Sequence, residues 1–421
     1  MKININTSYY KWEVLFLLWI AYFLNQADRQ VFNVVLPLIR EELMLSDFQI
    51  GAISTAFNLV FALCVPFAGY VGDKLSRKWI IIFSIALWSV ATMFTGLANG
   101  VLMLIFFRSV ATGMGEALFG PANYVLLSDY HVETRAFAMS IHQTAYYIGI
   151  VISGFLAGYI GQHYGWHNAF YIFGGFGVIH TVVLICRLKD KPMEQKERIV
   201  EARDTIPFLD SMKILFKVPT ALCLTLGFSA LIFGLTGYLT WMPTYLYEQF
   251  DMDLADAGFH SMFYTHLFAF IGIILAGRYS DRLAVKNPAN RLLMQAIGLL
   301  VATPFIVLMG LSSLLPVVYV GFAGFGFARA FFDANTYSVL YDVIPEKYHS
   351  SASGVMQMTG FAVGAFAPMI LGLLKPVLGL SFGIASLAIV WFVAGILLLI
   401  AYKRYFKIDY ERSKEKNDEN K

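Results

Sequence analysis

Ionisable side chains interrupt three long apolar stretches of this sequence: Asp28 and Arg29 in the first, Glu116 in another and Arg329 in a third. An ionised group in hydrocarbon costs about 3 kcal/mol or more unless it faces water or a partner charge. Loss of hydration favours the protonated form of a carboxyl group, whereas a nearby guanidinium favours the ionised form. Side chains balanced in this way can exchange protons or anions, so the sequence predicts a polar route through an apolar interior.

The composition explains why such charges must lie among membrane-spanning helices. The chain has 421 residues, of which 58% are hydrophobic and only 14% charged, and its mean hydropathy is +0.63. Soluble domains carry about 25% charged residues, so an ordinary globular protein is excluded. The apolar runs are continuous over about 20 residues, which is typical of membrane-spanning helices and not of barrel strands. The predicted fold class is therefore an all-α integral membrane protein.

Twelve transmembrane helices are predicted, in two sets of six. The first set is 12–36, 48–70, 79–98, 102–128, 136–160 and 167–186, and the second is 218–246, 256–279, 290–312, 315–340, 351–375 and 382–402. The predicted domains are an N-terminal bundle (1–186), a polar linker (187–217), a C-terminal bundle (218–402) and a charged tail (403–421). The composition of the tail predicts disorder.

The positions of the basic residues predict the orientation of the chain. Of the 31 Lys and Arg residues, Arg29, Arg108 and Arg329 lie within predicted helices, and only Arg40 and Lys375 fall in predicted outer loops. All the others lie in segments on the same side as the N-terminus. Because basic residues gather in cytoplasmic loops, we expect both termini and the linker in the cytoplasm, and a location in the inner membrane of a bacterium.

The two halves repeat each other weakly. Gly69-Tyr-Val-Gly-Asp73-Lys-Leu-Ser-Arg77 follows the second helix, and Gly277-Arg-Tyr-Ser-Asp281-Arg-Leu follows the eighth. Leu127-Ser-Asp129 at the end of the fourth helix matches Leu340-Tyr-Asp342 at the end of the tenth. Two parallel halves with a cavity between them are the architecture of many secondary transporters.

Several motifs resemble those of the major facilitator superfamily, over nearly the whole chain. They are the 69–78 loop, Arg108-x-x-x-x-Gly-x-Gly115, Glu133-Thr-Arg135 and Pro345-Glu346. A narrower set resembles bacterial Spinster-like proteins and the anion:cation symporter branch: Asn25-Gln-Ala-Asp28-Arg29-Gln, Leu45-Ser-Asp47-x-Gln49-x-Gly51 and Gly113-Met-Gly-Glu116-Ala117. The resemblance implies two pseudo-symmetric six-helix bundles that rock around one central site, with no cofactor.

The charges on the first and fourth helices are the candidate coupling groups. Asp28 and Arg29 diverge by about 100° on a helix, so each needs a different partner. We expect Arg29 to alternate between Glu116 (or Asp28) and an anionic substrate, and the Spinster-like resemblance implies proton-linked switching at Asp28 and Glu116. The alternative is a static ion pair that only fixes helix packing.

Two further arginines have two interpretations each. Arg108 either steers anions or relays protons, as the superfamily motif suggests, or extends to the outer interface. Arg329 lies four residues before Asp333, so the two can pair along one helical face. Arg329 is also a candidate contact for the substrate.

Further polar and aromatic side chains are candidate substrate contacts: Asn25, Gln26, Asn123, His142, Gln143, Tyr146, Trp241, His266 and Asn335. Amide groups and aromatic faces suit a hydroxylated or carboxylated solute. Trp241 stands beside Pro243, which bends its helix, and is a candidate outer gate. The alternative for each polar group is a helix–helix hydrogen bond worth about 0.6 kcal/mol.

The inner loops are expected to control conformation and not to bind substrate. Asp73 can accept from exposed N–H groups at a helix start, and Arg77 can reach Asp129. Arg135 and Asp281 complete the predicted inner gate.

The sequence predicts a secondary transporter, not an enzyme. No phosphate-binding loop, metal-ligand spacing or basic groove for nucleic acid is evident, and Cys64, Cys186 and Cys223 have unrelated spacings. We expect a monomer that carries a small organic anion, an acidic sugar or carboxylate, by proton-coupled symport. The alternatives are export or flipping of an amphipathic lipid such as a lysophospholipid, and a membrane sensor that does not transport.

Overall fold

The computed structural model describes residues 7–190 and 208–418, which are almost entirely helical. The first set of helices is α1 (Thr7–Glu42), α2 (Asp47–Lys74), α3 (Arg77–Thr95), α4 (Val101–Leu104), α5 (Thr112–Tyr130), α6 (Arg135–Tyr164) and α7 (Trp166–Arg187). A π-helical turn, Ile105–Ala111, joins α4 to α5 in one continuous span.

The second set begins with a short helix and ends with one. It comprises α8 (Phe208–Lys217), α9 (Pro219–Phe250), α10 (Leu254–Lys286), α11 (Asn290–Leu311), α12 (Leu315–Asp333), α13 (Thr336–Val343), α14 (His349–Gly364), α15 (Ala367–Arg404) and α16 (Phe406–Asp418). A 3₁₀ turn, Glu346–Tyr348, precedes α14. Inside α15, Gly379 adopts a φ of 73° and breaks the helix in two.

Among the described residues, ten segments are long and apolar enough to cross a membrane. The last of them, Ser351–Arg404, is 54 residues long and holds two crossings separated at Gly379. The 36-residue α1, which carries Asp28 and Arg29, is not among the ten, but it is long enough to form one more crossing. The predicted all-α membrane fold with twelve crossings is therefore confirmed.

Residue contacts divide the chain into two compact units. Unit 1 runs to Arg203 and also includes Leu246–Phe259, and unit 2 comprises Asp204–Tyr245 and His260–Lys421. The later segment is held in unit 1 through Gln162, which accepts from the N–H of Leu254 and donates to Asp253, both at 2.8 Å. The predicted boundaries at 186 and 218 stay a prediction about folding domains.

Small residues place α5 close to its neighbours in unit 1. A side chain at Gly113 would meet the Phe57 carbonyl of α2 at 3.3 Å, and one at Gly115 would meet Ser84 and Trp88 of α3 at 3.1 Å. Small residues let membrane helices approach each other closely. The glycines therefore let the turn of α5 that carries Glu116 pack closely against α2 and α3.

The predicted disorder of the tail is wrong for Phe406–Asp418, which forms α16. Asp409 is buried and accepts a hydrogen bond of 2.9 Å from the N–H of Thr220, at the start of α9. Phe406 is also buried and stacks on Tyr410. The prediction rested on the polar composition of the tail. Composition does not show that a few buried contacts are enough to order a short helix. Within the predicted linker, α8 is helical and residues 191–207 lie outside the described part.

Candidate functional site

The charged cluster of unit 1 consists of Asp28, Arg29, Arg108 and Glu116. Arg29 of α1 forms an ion pair with Glu116 of α5 through its Nε atom. The side chain of Glu116 is 0% exposed and that of Arg29 is 27% exposed. Asp28, about 100° around α1 from Arg29, is buried and hydrogen-bonds with Thr92 of α3. The predicted pairing of Arg29 with Glu116 is thus present.

Aromatic rings of α1 and α2 support both arginines. The guanidinium of Arg29 lies over Phe61 at 4.5 Å and Phe57 at 5.4 Å. The guanidinium of Arg108 lies over the same Phe57 ring at 4.3 Å and over Phe32 at 5.1 Å. Cation–π contacts of this kind stabilise a desolvated cation by about 2 kcal/mol. Phe57 therefore contacts both cations of the cluster.

Arg108 is buried, which contradicts the alternative in which it extends to the outer interface. The residue is 6% exposed, and its Nη2 donates to the backbone carbonyl of Arg29 at 3.3 Å. Its Nε and Nη1 atoms find no hydrogen-bond partner among the described residues. Its electrostatic neighbours are Glu116, Arg29 and Asp28. The π turn holds Arg108 inside the protein, where it faces the other three charges.

Two carboxyl groups and two guanidinium groups give the cluster a formal charge of zero. Asp28 Oδ1 and Glu116 Oε1 are buried and make no hydrogen bond within the described part of the chain. These oxygens are chemically able to accept a proton. The cluster can therefore take up one proton and one anion together and return to neutrality.

The other predicted contacts in unit 1 form two buried pairs beside the cluster. Gln26 donates to the Asn25 side chain at 2.6 Å, and Asn123 bonds to His142 at 3.0 Å. His142 stacks on Tyr22 with ring centres 4.8 Å apart. Gln143 is half-buried on α6, as is Tyr146.

Tyr22 and Tyr124 are two site residues that the sequence analysis missed. Their hydroxyl groups are 3.3 Å apart, and Tyr146 lies 6.3 Å from Tyr22 between ring centres. Arg29 is among the electrostatic neighbours of Tyr22. Tyr22 precedes Arg29 by seven residues, which is two helical turns. That spacing would have placed both side chains on one face of the first helix.

Unit 2 contains its own charged pair. Arg329 and Asp333 of α12 pair at 3.1 Å, as their spacing predicts. His266 and Tyr238 lie within electrostatic range of Arg329, and His266 Nδ1 bonds to the Met262 carbonyl at 2.8 Å. These contacts make Arg329 the centre of a buried polar group in unit 2.

Trp241 and Asn335 take part in packing within unit 2. Trp241 is 0% exposed, and its indole N–H donates to the Pro368 carbonyl at 2.9 Å. Asn335 donates to the Ser280 hydroxyl at 2.8 Å and to the Phe331 carbonyl at 2.9 Å. Their roles toward a substrate stay a prediction.

Two residues of the predicted inner gate form an ion pair in unit 1. Arg77, the first residue of α3, forms an ion pair with Asp129 near the end of α5, as predicted. Arg135 is exposed at the start of α6. The side chain of Asp73 lies outside the described residues.

An equivalent group occurs in unit 2, through a residue that the sequence analysis missed. Arg291, the second residue of α11, lies 3.2 Å from Asp342 and 3.5 Å from Asp281. Asp342 had been matched to Asp129 by the internal repeat. Arg77 begins α3 and Arg291 lies at the beginning of α11. A search for a basic residue at the equivalent helix start would have found Arg291 as the match to Arg77.

Within residues 7–190 and 208–418, no group of three or more His, Cys, Asp or Glu side chains is arranged to hold a metal ion. The three cysteines are free thiols.

Comparison with known proteins agrees with these features. The profile of the Major Facilitator Superfamily matches residues 18–368. The chain belongs to this superfamily. Such a match, the membrane-spanning helices and relatives that are named transporters establish a multi-pass membrane transporter and not an enzyme.

Two relatives and one solved structure are examples of proteins that are similar to this chain. The "Hexuronate transporter" of Bacillus subtilis (strain 168) is 26% identical over 92% of this chain and 96% of its own. The "Probable sulfoacetate transporter SauU" of Cupriavidus necator is 29% identical over 89% of each chain. A bacterial homologue of the human lysosomal transporter Spinster has a crystal structure with a TM-score of 0.78, 21% identity and coverage of 97% and 98%. At that identity, the structure supports the fold alone.

Proposed function

We propose that this transporter carries a small organic anion together with a proton, with Arg29 binding the anionic group and Glu116 and Asp28 taking the proton. The observation that carries the proposal is the Arg29–Glu116 ion pair, in which the cation is partly exposed and the carboxylate is not. A solute can therefore reach the arginine without reaching its buried partner.

Exchange of partners by Arg29 links the two binding events. When an anion takes the guanidinium, Glu116 is left as a buried carboxylate without its partner. Breaking a buried ion pair costs about 3–5 kcal/mol, and protonation of Glu116 removes the charge that causes this cost. Because coupling between two ligands is reciprocal, the anion promotes proton binding and the proton promotes anion binding.

The names of the relatives support an anionic substrate. A hexuronate carries one carboxylate on a hydroxylated chain, and sulfoacetate carries a carboxylate and a sulfonate. A guanidinium forms two parallel hydrogen bonds with such groups, which gives both strength and orientation. The distribution of basic residues supports cytoplasmic termini, and an inward proton gradient then drives uptake into a bacterial cell.

Transport into proteoliposomes tests the proposal. We expect an inward proton gradient to drive accumulation of radiolabelled D-glucuronate, with sulfoacetate as a second substrate without hydroxyl groups. Glu116→Gln should retain glucuronate exchange at equal pH and lose accumulation driven by the gradient. Glu13→Gln is the matched control, because Glu13 pairs with Arg187 at 2.6 Å outside the cluster.

Several outcomes would contradict the proposal. Full proton-driven accumulation in both Glu116→Gln and Asp28→Asn would refute the coupling role and leave a static ion pair. Absence of anion uptake, combined with movement of a fluorescent lysophospholipid across the bilayer, would favour the lipid-transport alternative. Binding of glucuronate without any flux would favour a sensor.

A further inference from the structure

The span from Val101 to Tyr130 is not a regular α-helix. Its π-helical turn at Ile105–Ala111 lies directly before α5 and carries Arg108. In a π turn the backbone bonds skip one extra residue, so the turn is wider; such turns are rare and frequently occur at functional sites. A defined set of side-chain contacts holds this one.

Thr112 closes the π turn. Both its N–H and its hydroxyl group donate to the carbonyl of Phe107, five residues earlier, and the hydroxyl bond measures 2.9 Å. The other hydroxyl of the turn, Ser109, donates to the Ile53 carbonyl of α2 at 2.7 Å. Both side chains are fully buried. The first contact fixes the width of the turn, and the second fixes its orientation against α2.

The width of the turn decides where Arg108 points. Arg108 and Glu116 are eight residues apart, and a regular α-helix would separate them by about 80° around its axis. A wider turn rotates less per residue, so the π turn carries Arg108 toward the face of Glu116. The guanidinium packs on Phe57, donates to the Arg29 carbonyl and lies within electrostatic range of Asp28 and Glu116.

We propose that the π turn is a positioning device for the charged cluster: Thr112 and Ser109 hold the Arg108 guanidinium against Phe57 and the Arg29 carbonyl, within electrostatic range of the carboxyl groups of Asp28 and Glu116. Arg108 then sets how readily these carboxyl groups hold a proton. The proposal deepens the proposed coupling mechanism and rests on it only for the consequence in transport.

The charged and polar groups around the two carboxyl groups are known from each neighbouring helix. α1 supplies Asp28 and Arg29, the π turn supplies Arg108, and α5 supplies Glu116. α3 supplies the Thr92 hydroxyl, and α2 faces the arginines with aromatic rings. A change in proton binding that follows a displaced Arg108 therefore has a defined origin.

Infrared titration of the protonated carboxyl band in purified protein tests the proposal without any substrate. Glu116→Gln and Asp28→Asn assign the band. With Thr112→Val, which removes the hydroxyl and keeps the shape, we expect the titration midpoint to move up by about half a pH unit, and with Arg108→Gln by about one unit or more. Thr112→Ser should restore the midpoint, and Ser109→Ala should move it in the same direction as Thr112→Val.

Matched controls separate positioning from general packing. Thr95 and Ser84 are equally buried on α3, but their hydroxyls bond to carbonyls four residues earlier, Ala91 and Ile80. We expect no shift with Thr95→Val or Ser84→Ala. In an Arg108→Gln background, Thr112→Val should cause no further shift, because an effect through Arg108 cannot survive its removal.

Three results would overturn the proposal. The first is an unshifted titration midpoint in both Thr112→Val and Ser109→Ala, and the second is an equal shift in the control variants. The third is a Thr112→Val shift of unchanged size in the Arg108→Gln background. The titration also distinguishes failure of the positioning role of the π turn from failure of the proposed transport function. If it behaves as expected while glucuronate and sulfoacetate are not transported, the positioning role stands and the proposed substrate class fails.

Discussion

Arg29 combines an ion pair, aromatic packing and partial exposure in one side chain. It pairs with Glu116, packs on Phe57 and Phe61, and keeps part of its surface exposed. The aromatic rings hold the planar guanidinium in one orientation, and the carboxylate occupies only one edge of it. Under the proposed function, the remaining edge of the guanidinium binds the substrate anion, and a compact ammonium group would not replace it.

Arg29→Lys is expected to separate charge from shape. The lysine retains the cation but loses the fork and most of the aromatic stacking, so we expect the KM for glucuronate counterflow to rise about 10-fold to 100-fold, which matches the loss of a charged hydrogen bond of about 1.5–3 kcal/mol. Arg187→Lys, at the exposed pair with Glu13, should leave KM unchanged. An unaltered KM in Arg29→Lys would remove Arg29 from the anion site.

His131 provides a pH-dependent prediction outside the membrane-spanning segments. Burial lowers its pKa below the usual 6.5, against the opposing effect of a hydrogen bond to the Lys11 carbonyl. The folded state therefore favours the neutral ring: its stabilising effect is complete above about pH 6.5 and is lost as the pH falls below that value.

Thermal unfolding between pH 8 and pH 5 tests this effect of His131. We expect the wild-type melting temperature to fall on acidification by about 1–2 °C more than that of His131→Gln. His163→Gln, an exposed histidine on α6, should behave as the wild type. Parallel curves for wild type and His131→Gln would contradict the prediction.

Ion pairs could be predicted from the sequence where each residue of the pair stood out by its position or by its motif. Arg29, Glu116 and Arg329 are charges within apolar stretches, and Arg77 and Asp129 belong to motifs that were recognised in the sequence. Tyr22 and Arg291 escaped because tyrosines are common in this chain and arginines are common in inner loops. Only the contacts in the folded units distinguish these two from others of their kind.

The helical elements show what hydropathy can and cannot define. Continuous apolar runs predict the spans because lipid requires backbone groups to bond within each helix. The same signal cannot detect the π turn at Ile105–Ala111, since one additional residue in a turn leaves the apolar content unchanged. It also misses α16, which is polar and is ordered by contacts with α9 and α13.

Asp409→Ala tests the attachment of α16. The carboxylate caps the N-terminus of α9 through Thr220, and loss of such a cap costs about 1 kcal/mol. We expect the melting temperature of the purified protein to fall by about 2 °C. Glu411→Ala, two residues later with a side chain 60% exposed, is the control and should not change it. Equal melting temperatures for the two variants would show that Asp409 does not stabilise the junction.

For the molecule as a whole, the same ionic arrangement occurs once in each unit. Arg77 with Asp129 and Arg291 with Asp342 each join the start of one helix to the end of a later span. This repetition supports the interpretation of the weak sequence repeat as two related halves. The sequence predicted the repeat from its aspartates and the pairing of Arg77 with Asp129, but Arg291 became evident only from its contacts.

Cysteine labelling tests the proposed orientation of the whole chain. Val285 and Val377 are both highly exposed, at 88% and 81%, and lie at the ends of spans on opposite predicted sides. In a background without the native cysteines, an impermeant maleimide added to intact cells should label Val377→Cys and not Val285→Cys. After the cells are opened, both should react. The reverse pattern in intact cells would place the termini outside.

The membership of Leu246–Phe259 in unit 1 affects the order in which the protein can be assembled during synthesis. Arg40 and Gln162 are made early, but their partners Glu248, Asp253 and Leu254 follow much later in the chain. The first seven helices therefore leave the ribosome before these later contacts can form, when Arg40 has only Asp47 as its partner. The N-terminal unit reaches its final form only after α9 has been inserted into the bilayer, so insertion of the later helices is a step in folding the earlier ones.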